Sequence, residues 1–149
     1  METNSTAAVL EDLIQTLEDG RMGFEQTAEH LADQADRSVT DRMLTFAEQR
    51  ASFSTELRTL ASVQGFTIDE DGSLAGSMHR GWIGLKDALT GDNPSAVLGA
   101  AESGEDHAVA EYEQALEKEL PAEVREVIQR QATEVRMAHD EVRNLRDSL

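Results

Sequence analysis

At 149 residues the chain has a normal length for one domain, and with 39 % hydrophobic but only 4 % aromatic residues its core must be built mainly from Leu, Val, Ile, Met and Ala. The absence of cysteine excludes disulfides, thiolate metal sites and cysteine nucleophiles, and no run of about 18 apolar residues argues for a membrane span. A net charge of −17 sets the surface against nucleic acid and anionic membranes, both of which need a positive patch, and suits cations, a salty cytoplasm or a basic protein partner.

The N-terminus, Met-Glu-Thr-Asn-Ser, carries no basic stretch followed by an apolar one, so no signal peptide is expected and a cytoplasmic location is the default. Apolar residues spaced three and four apart mark one face of a helix. Leu10, Leu13, Leu17, Phe24, Ala28 and Leu31 place a first helix over about Ser5 to Ala35. Val39, Met43, Phe46, Phe53, Leu57 and Leu60 place a second over about Val39 to Val63, with Ser38 as its cap and Asp41 three residues on. The link around Asp36 is short, so the two helices are expected to be antiparallel neighbours.

Gly65, Gly72 and Asp69-Glu70-Asp71 then read as loop. A shorter helix follows, with Leu74, Met78, Trp82, Leu85 and Leu89 on one stripe. Asn93 and Pro94 supply an N-cap and a first-turn proline for the third long helix, which carries Leu98, Ala101, Ala108, Tyr112 and Ala115 and ends near Leu120. Pro121 opens the fourth, with Val124, Ile128, Val135, Ala138, Val142 and Leu145. Two hairpins joined by a crossover over about residues 64–93 is the ferritin-like form of the four-helix bundle, one all-α domain over residues 1–149.

Several stretches are similar to a bacterial family: Leu13-Ile14-Gln15-Thr16-Leu17-Glu18-Asp19-Gly20, Gly23-Phe24, Phe46-Ala47-Glu48-Gln49-Arg50, His79-Arg80-Gly81-Trp82, Gly104-Glu105-Asp106 and Leu120-Pro121-Ala122. That family is catalogued as a ferritin-like four-helix-bundle domain of unknown function. The resemblance spans about Val9 to Leu145; it implies the fold and no particular activity.

Polar residues interrupt the apolar stripes. Arg50 takes a core slot between Phe46 and Phe53, Glu105 one between Ala101 and Ala108, and Gln131 one between Ile128 and Val135, while Glu25 and Glu134 flank the stripes of the first and fourth helices. Folding the hairpins about Asp36 and Glu119 brings Arg50 opposite Gly23 and Glu105 opposite Thr133, so Glu25, Arg50, Glu105, Gln131 and Glu134 are expected to form an interior polar cluster at mid-bundle. In one reading Arg50 pairs with Glu105, with Glu25 as a further partner and Gln131 completing the hydrogen bonds, because a buried guanidinium must be paired. In the other, Glu25, Glu105 and Glu134 hold iron or manganese, as in the di-metal carboxylate proteins of this fold. Those sites use a Glu from each of two helices and Glu-x-x-His from each of the other two, whereas here Glu48 is followed by Gln49-Arg50 and the fourth helix has no histidine on that face. No cofactor is therefore expected, with iron or manganese as the alternative, and the residues weigh against an enzyme.

His30 and His107 are expected at the surface, and His139 is too far round its helix from Glu134 to form a site with it. His79, Arg80 and Trp82 are expected to clasp the crossover to the bundle, with Gly81 and Gly84 allowing close approach. Gly20, Gly23, Gly99 and Gly104 weaken their helices by about 1 kcal/mol each and point to close contacts or bulges near the cluster. The function expected is that of a non-catalytic, stress-type or interaction protein, associating as a homodimer or with a basic protein; the alternative is a divergent di-metal protein or oxidase.

Overall fold

The computed structural model describes residues 2–34, 36–68, 80–91 and 93–148, with the side chains of residues 2–5 and of Arg80 outside that description. Four long helices form two hairpins: α1 (Glu2–Leu31) with α2 (Arg37–Val63), and α4 (Pro94–Leu116) with α5 (Ala122–Asp147). Between them the crossover contains a 3-10 turn at Arg80–Trp82 and a four-residue helix, α3 (Leu85–Ala88). The two hairpins meet where α1 packs on α4 and α2 on α5. The arrangement is the ferritin-like bundle, and no strand occurs among the described residues.

Local chemistry sets the helix ends. Asn93 Oδ1 accepts from Ser95 N at 3.0 Å and Ala96 N at 3.3 Å, the cap its sequence position predicts. The second helix starts two residues earlier than expected: Asp36, not Ser38, flanks it, and the cap is made by backbone, Val39 N to Asp36 O at 3.0 Å. The third long helix stops at Leu116 rather than near Leu120. Arg125 of α5 reaches back to donate to Leu116 O at 2.8 Å and Lys118 O at 2.5 Å, taking up carbonyls left open where that helix ends. Gly65, at φ +82°, turns the chain out of α2 in a conformation that favours glycine.

The apolar core is divided in two. One half gathers Phe24, Leu31, Met43, Phe46, Trp82 and Leu98 with their neighbours; the other gathers Leu13, Leu17, Phe53, Leu57, Tyr112 and Ile128 with theirs. On α1, α2 and α4 the boundary falls at the same level: Gly20, Arg50 and Glu105.

Candidate functional site: a buried ion pair and a glycine-walled tryptophan

Arg50 projects from α2 into the waist of the bundle and meets Glu105 from α4 there. Nη1 donates to Oε1 at 2.5 Å and Nη2 to Oε2 at 2.7 Å, a two-point pair whose side chains are 1 % and 0 % exposed. Nε turns to Gln49 Oε1 at 3.2 Å, and the guanidinium carbon lies 5.3 Å from the Phe24 ring centroid. Gly20 lies against the stem, where a Cβ would stand 3.5 Å from Arg50 Cγ, an ordinary contact that alanine could also make. Arg50 thus faces Gly20 rather than Gly23, three residues from where simple folding about Asp36 puts it.

Gly23 and Gly104 serve a different neighbour. Trp82, 2 % exposed, drives its indole between α1 and α4, and a Cβ on Gly23 or Gly104 would stand 2.3 Å or 2.2 Å from ring atoms. The ring meets Phe24 edge-on, centroids 5.1 Å apart at 74°, and Phe24 in turn leans on Phe46 at 5.3 Å. At Gly81 the crossover backbone abuts α4, where a Cβ would lie 2.5 Å from His107 Cβ; around Gly84 the space is open. Gly99 has only Arg146 Cδ at 3.8 Å. All four helix glycines sit in unbroken α-helix, so of the two expectations, close contact or a bulge, Gly23 and Gly104 meet the first, as walls of a slot for one tryptophan. Of the other clasp residues, His79 lies outside the described residues and Arg80 is described by its backbone alone.

Gln131 is fully buried but belongs to the next layer. It accepts from Tyr112 Oη at 2.8 Å and donates to Glu56 Oε1 at 2.8 Å and Phe53 O at 3.3 Å. It does not complete the Arg50–Glu105 pair. Burial pushes the Tyr112 phenol well above its ordinary range; Glu105 and Glu56 add to this, and Arg50 opposes it.

Glu25 and Glu134 are corrections. Both are exposed, and Glu25 pairs with Arg21 at 3.0 Å on the surface of α1. Each stands one residue from a core position, about 100° round its helix, and that rotation carries it out of the bundle. The three carboxylates Glu25, Glu105 and Glu134 therefore do not converge, and the one that is buried has both oxygens held by Arg50. The interior donor set does not fit iron or manganese.

Of the described histidines, His107 departs from its expected surface position, and His139, which forms no group with Glu134, finds partners elsewhere. His30 Nε2 lies 3.2 Å from Gly91 O, tying the end of α1 to the loop after α3. His107 is half-buried, and its Nε2 is enclosed without a hydrogen-bond partner among the described residues. His139 meets Asp106 of the neighbouring helix at 2.5 Å and Asp140 at 3.1 Å. Burial lowers its proton affinity, but the two carboxylates outweigh this and raise it; in return, the His139 contact holds the Asp140 carboxyl below its usual range. The cross-helix partner of His139 lies on α4, and the one sign of it in the sequence is the i, i+4 carboxylate pair Glu102 and Asp106.

A solved structure, a Mycobacterium smegmatis Dps1 mutant, superposes with a TM-score of 0.82 at 13 % sequence identity, covering 96 % of this chain and 95 % of that one; at this identity the likeness is one of fold. No curated protein matches the sequence. A family model described as "Domain of unknown function (DUF2383)" matches residues 5–118, more than half of the chain. The chain therefore belongs to that family of unknown function, on a ferritin-like bundle whose waist is closed by an arginine–glutamate pair.

Proposed function

We propose that this protein is a non-catalytic ferritin-like bundle, a stress-type or interaction protein of the cytoplasm that associates as a homodimer or whose acidic exterior engages a basic protein. The observation that carries the reading is the Arg50–Glu105 pair. The di-metal proteins of this fold place four carboxylates and two histidines inward at mid-bundle. Here the inward carboxylate of α4, Glu105, is already neutralised by a guanidinium, and a fixed positive charge repels a divalent ion at close range. Among the described residues no helix is long and apolar enough to cross a membrane, and the charge of −17 disfavours nucleic acid and anionic membranes as partners.

Ferrous iron added in air to the purified protein tests the reading. Oxygen uptake should not exceed that of iron in buffer, and no ion should be held in a manner that depends on Glu105. A bound metal pair with accelerated oxidation, both lost on Glu105→Ala, overturns it. For the partner, pull-downs with the wild-type chain should lose their yield as salt is added, since contacts between exposed charges are screened; capture indifferent to salt speaks against a basic partner.

A further inference from the structure

Outside the bundle, on the seam between α4 and α5, Glu102, Asp106 and His139 each present one ligand atom, and the three atoms lie within 4.8 Å of one another. Glu102 and Asp106 are one turn apart on α4, so both carboxylates share its α5-facing side; His139 comes from α5. The side chains of Glu102 and His139 are 12 % and 14 % exposed, and that of Asp106 is 65 % exposed, so the group has two walls set in the seam and one side open to solvent.

We propose that Glu102, Asp106 and His139 bind a divalent transition-metal ion of the zinc class, with Asp140 orienting the imidazole. Two carboxylates balance the charge of a dication, while an imidazole ligand favours zinc and its transition-metal neighbours over magnesium or calcium. Three protein ligands with a fourth position open to water is a familiar zinc arrangement. Asp140 accepts at His139 Nδ1, 3.1 Å away, which leaves Nε2 facing Asp106 and the ion; a carboxylate on the far nitrogen is the usual support for a metal-bound histidine. Ligand atoms about 2.0–2.1 Å from zinc in a tetrahedron stand roughly 3.3 Å apart. His139 and Asp106, now 2.5 Å apart, must separate by under about 1 Å, and the wider gaps must close, movements within the reach of side-chain rotation.

One cation already competes. Arg146 donates to Glu102, and its Nη2 also lies 2.9 Å from Asp147 Oδ1. An incoming ion displaces the guanidinium from Glu102 while Asp147 retains it, so Arg146 limits the affinity of the site. This makes the assignment sensitive in two directions, because removing a ligand weakens binding and removing the competitor strengthens it.

The test is calorimetric titration of zinc into chelator-treated, dialysed protein. Wild type should take up one ion per chain. His139→Ala and Asp106→Asn should each weaken uptake by more than tenfold, Asp140→Asn by about tenfold, and Arg146→Gln should tighten it, while the exposed control Glu134→Gln leaves it unchanged. All five positions are on the outside of the bundle, and circular dichroism checks that each variant keeps its helices. Zinc uptake equal in wild type and His139→Ala, or none even in Arg146→Gln, overturns the proposal and leaves the group as an ion-pair clasp between α4 and α5. The site shares no residue with the Arg50–Glu105 pair, so its outcome is separate from that of the interior reading.

Discussion

Breaking the Arg50–Glu105 pair from one side should be among the most damaging single changes available in this protein. Both side chains are at most 1 % exposed, and each satisfies the other through two hydrogen bonds. Arg50→Met leaves a carboxylate buried without its cation; Glu105→Leu leaves a guanidinium buried with a hydrogen bond to Gln49 and the face of the Phe24 ring, and no carboxylate bonded to it among the described residues. Each should cost about 3–5 kcal/mol. Given about 2–4 °C per kcal/mol for a domain of this size, that lowers the melting temperature by roughly 10 °C. If the two losses were independent, the double variant would lose roughly 6–10 kcal/mol, more than many domains possess. Joining the two apolar halves of the core instead should bring the double variant within about 1 kcal/mol of wild type, or above it. Urea denaturation of the four proteins, with the slope checked for constancy, measures the coupling directly. Losses that add, or single changes costing under about 0.5 kcal/mol as surface substitutions do, would refute a buried, mutually dependent pair.

The glycine slot predicts a change of sign. Gly23→Ala and Gly104→Ala should each destabilise by about 1–3 kcal/mol through collision with Trp82, despite the better helix propensity of alanine. In a Trp82→Ala background the same changes should stabilise by up to about 1 kcal/mol; thermal melts that show the same sign in both backgrounds contradict the slot. Gln131→Leu strips Tyr112 Oη and Glu56 of a partner and should cost about 1–3 kcal/mol by denaturant melt; a neutral result means the amide is not holding that layer. Tyr112 is the chain's one tyrosine, so phenolate absorbance reports it alone. Its folded pKa is raised above the ordinary 10.0, so the stability linked to its proton is complete below that value and declines as pH rises beyond it. Phenolate should therefore appear only with unfolding, and reversible titration near pH 10.0 in the folded protein would contradict its burial.

The helix stripes were legible because 3.6-residue periodicity is a local property, and so were their interruptions: Arg50, Glu105 and Gln131 occupy core phases and are buried. What was not legible was register between helices. A shift of three residues sets Arg50 at Gly20 and leaves Gly23 to Trp82, and Gln131 finds Tyr112 and Glu56 rather than the ion pair. Glu25 and Glu134 adjoin core positions in sequence, yet one residue of helical rotation turns each to solvent. Gly23 and Gly104 stood out as weak helix formers, but nothing in their own segments named the indole that fills the gap, since it arrives from the crossover. Asp106 and His139 lie on different helices, and only the packing of α4 on α5 brings them together.

Anomalous diffraction from zinc-soaked crystals of the wild-type protein tests most directly the claim that the waist of this ferritin-like frame is closed by an ion pair and that metal binds on the outside of the bundle instead. The account predicts one anomalous peak per chain, at Glu102, Asp106 and His139 on the outside of the bundle, with Arg50 still joined to both oxygens of Glu105. A peak or pair of peaks at the waist, with Glu105 as a ligand and Arg50 swung away, would contradict it.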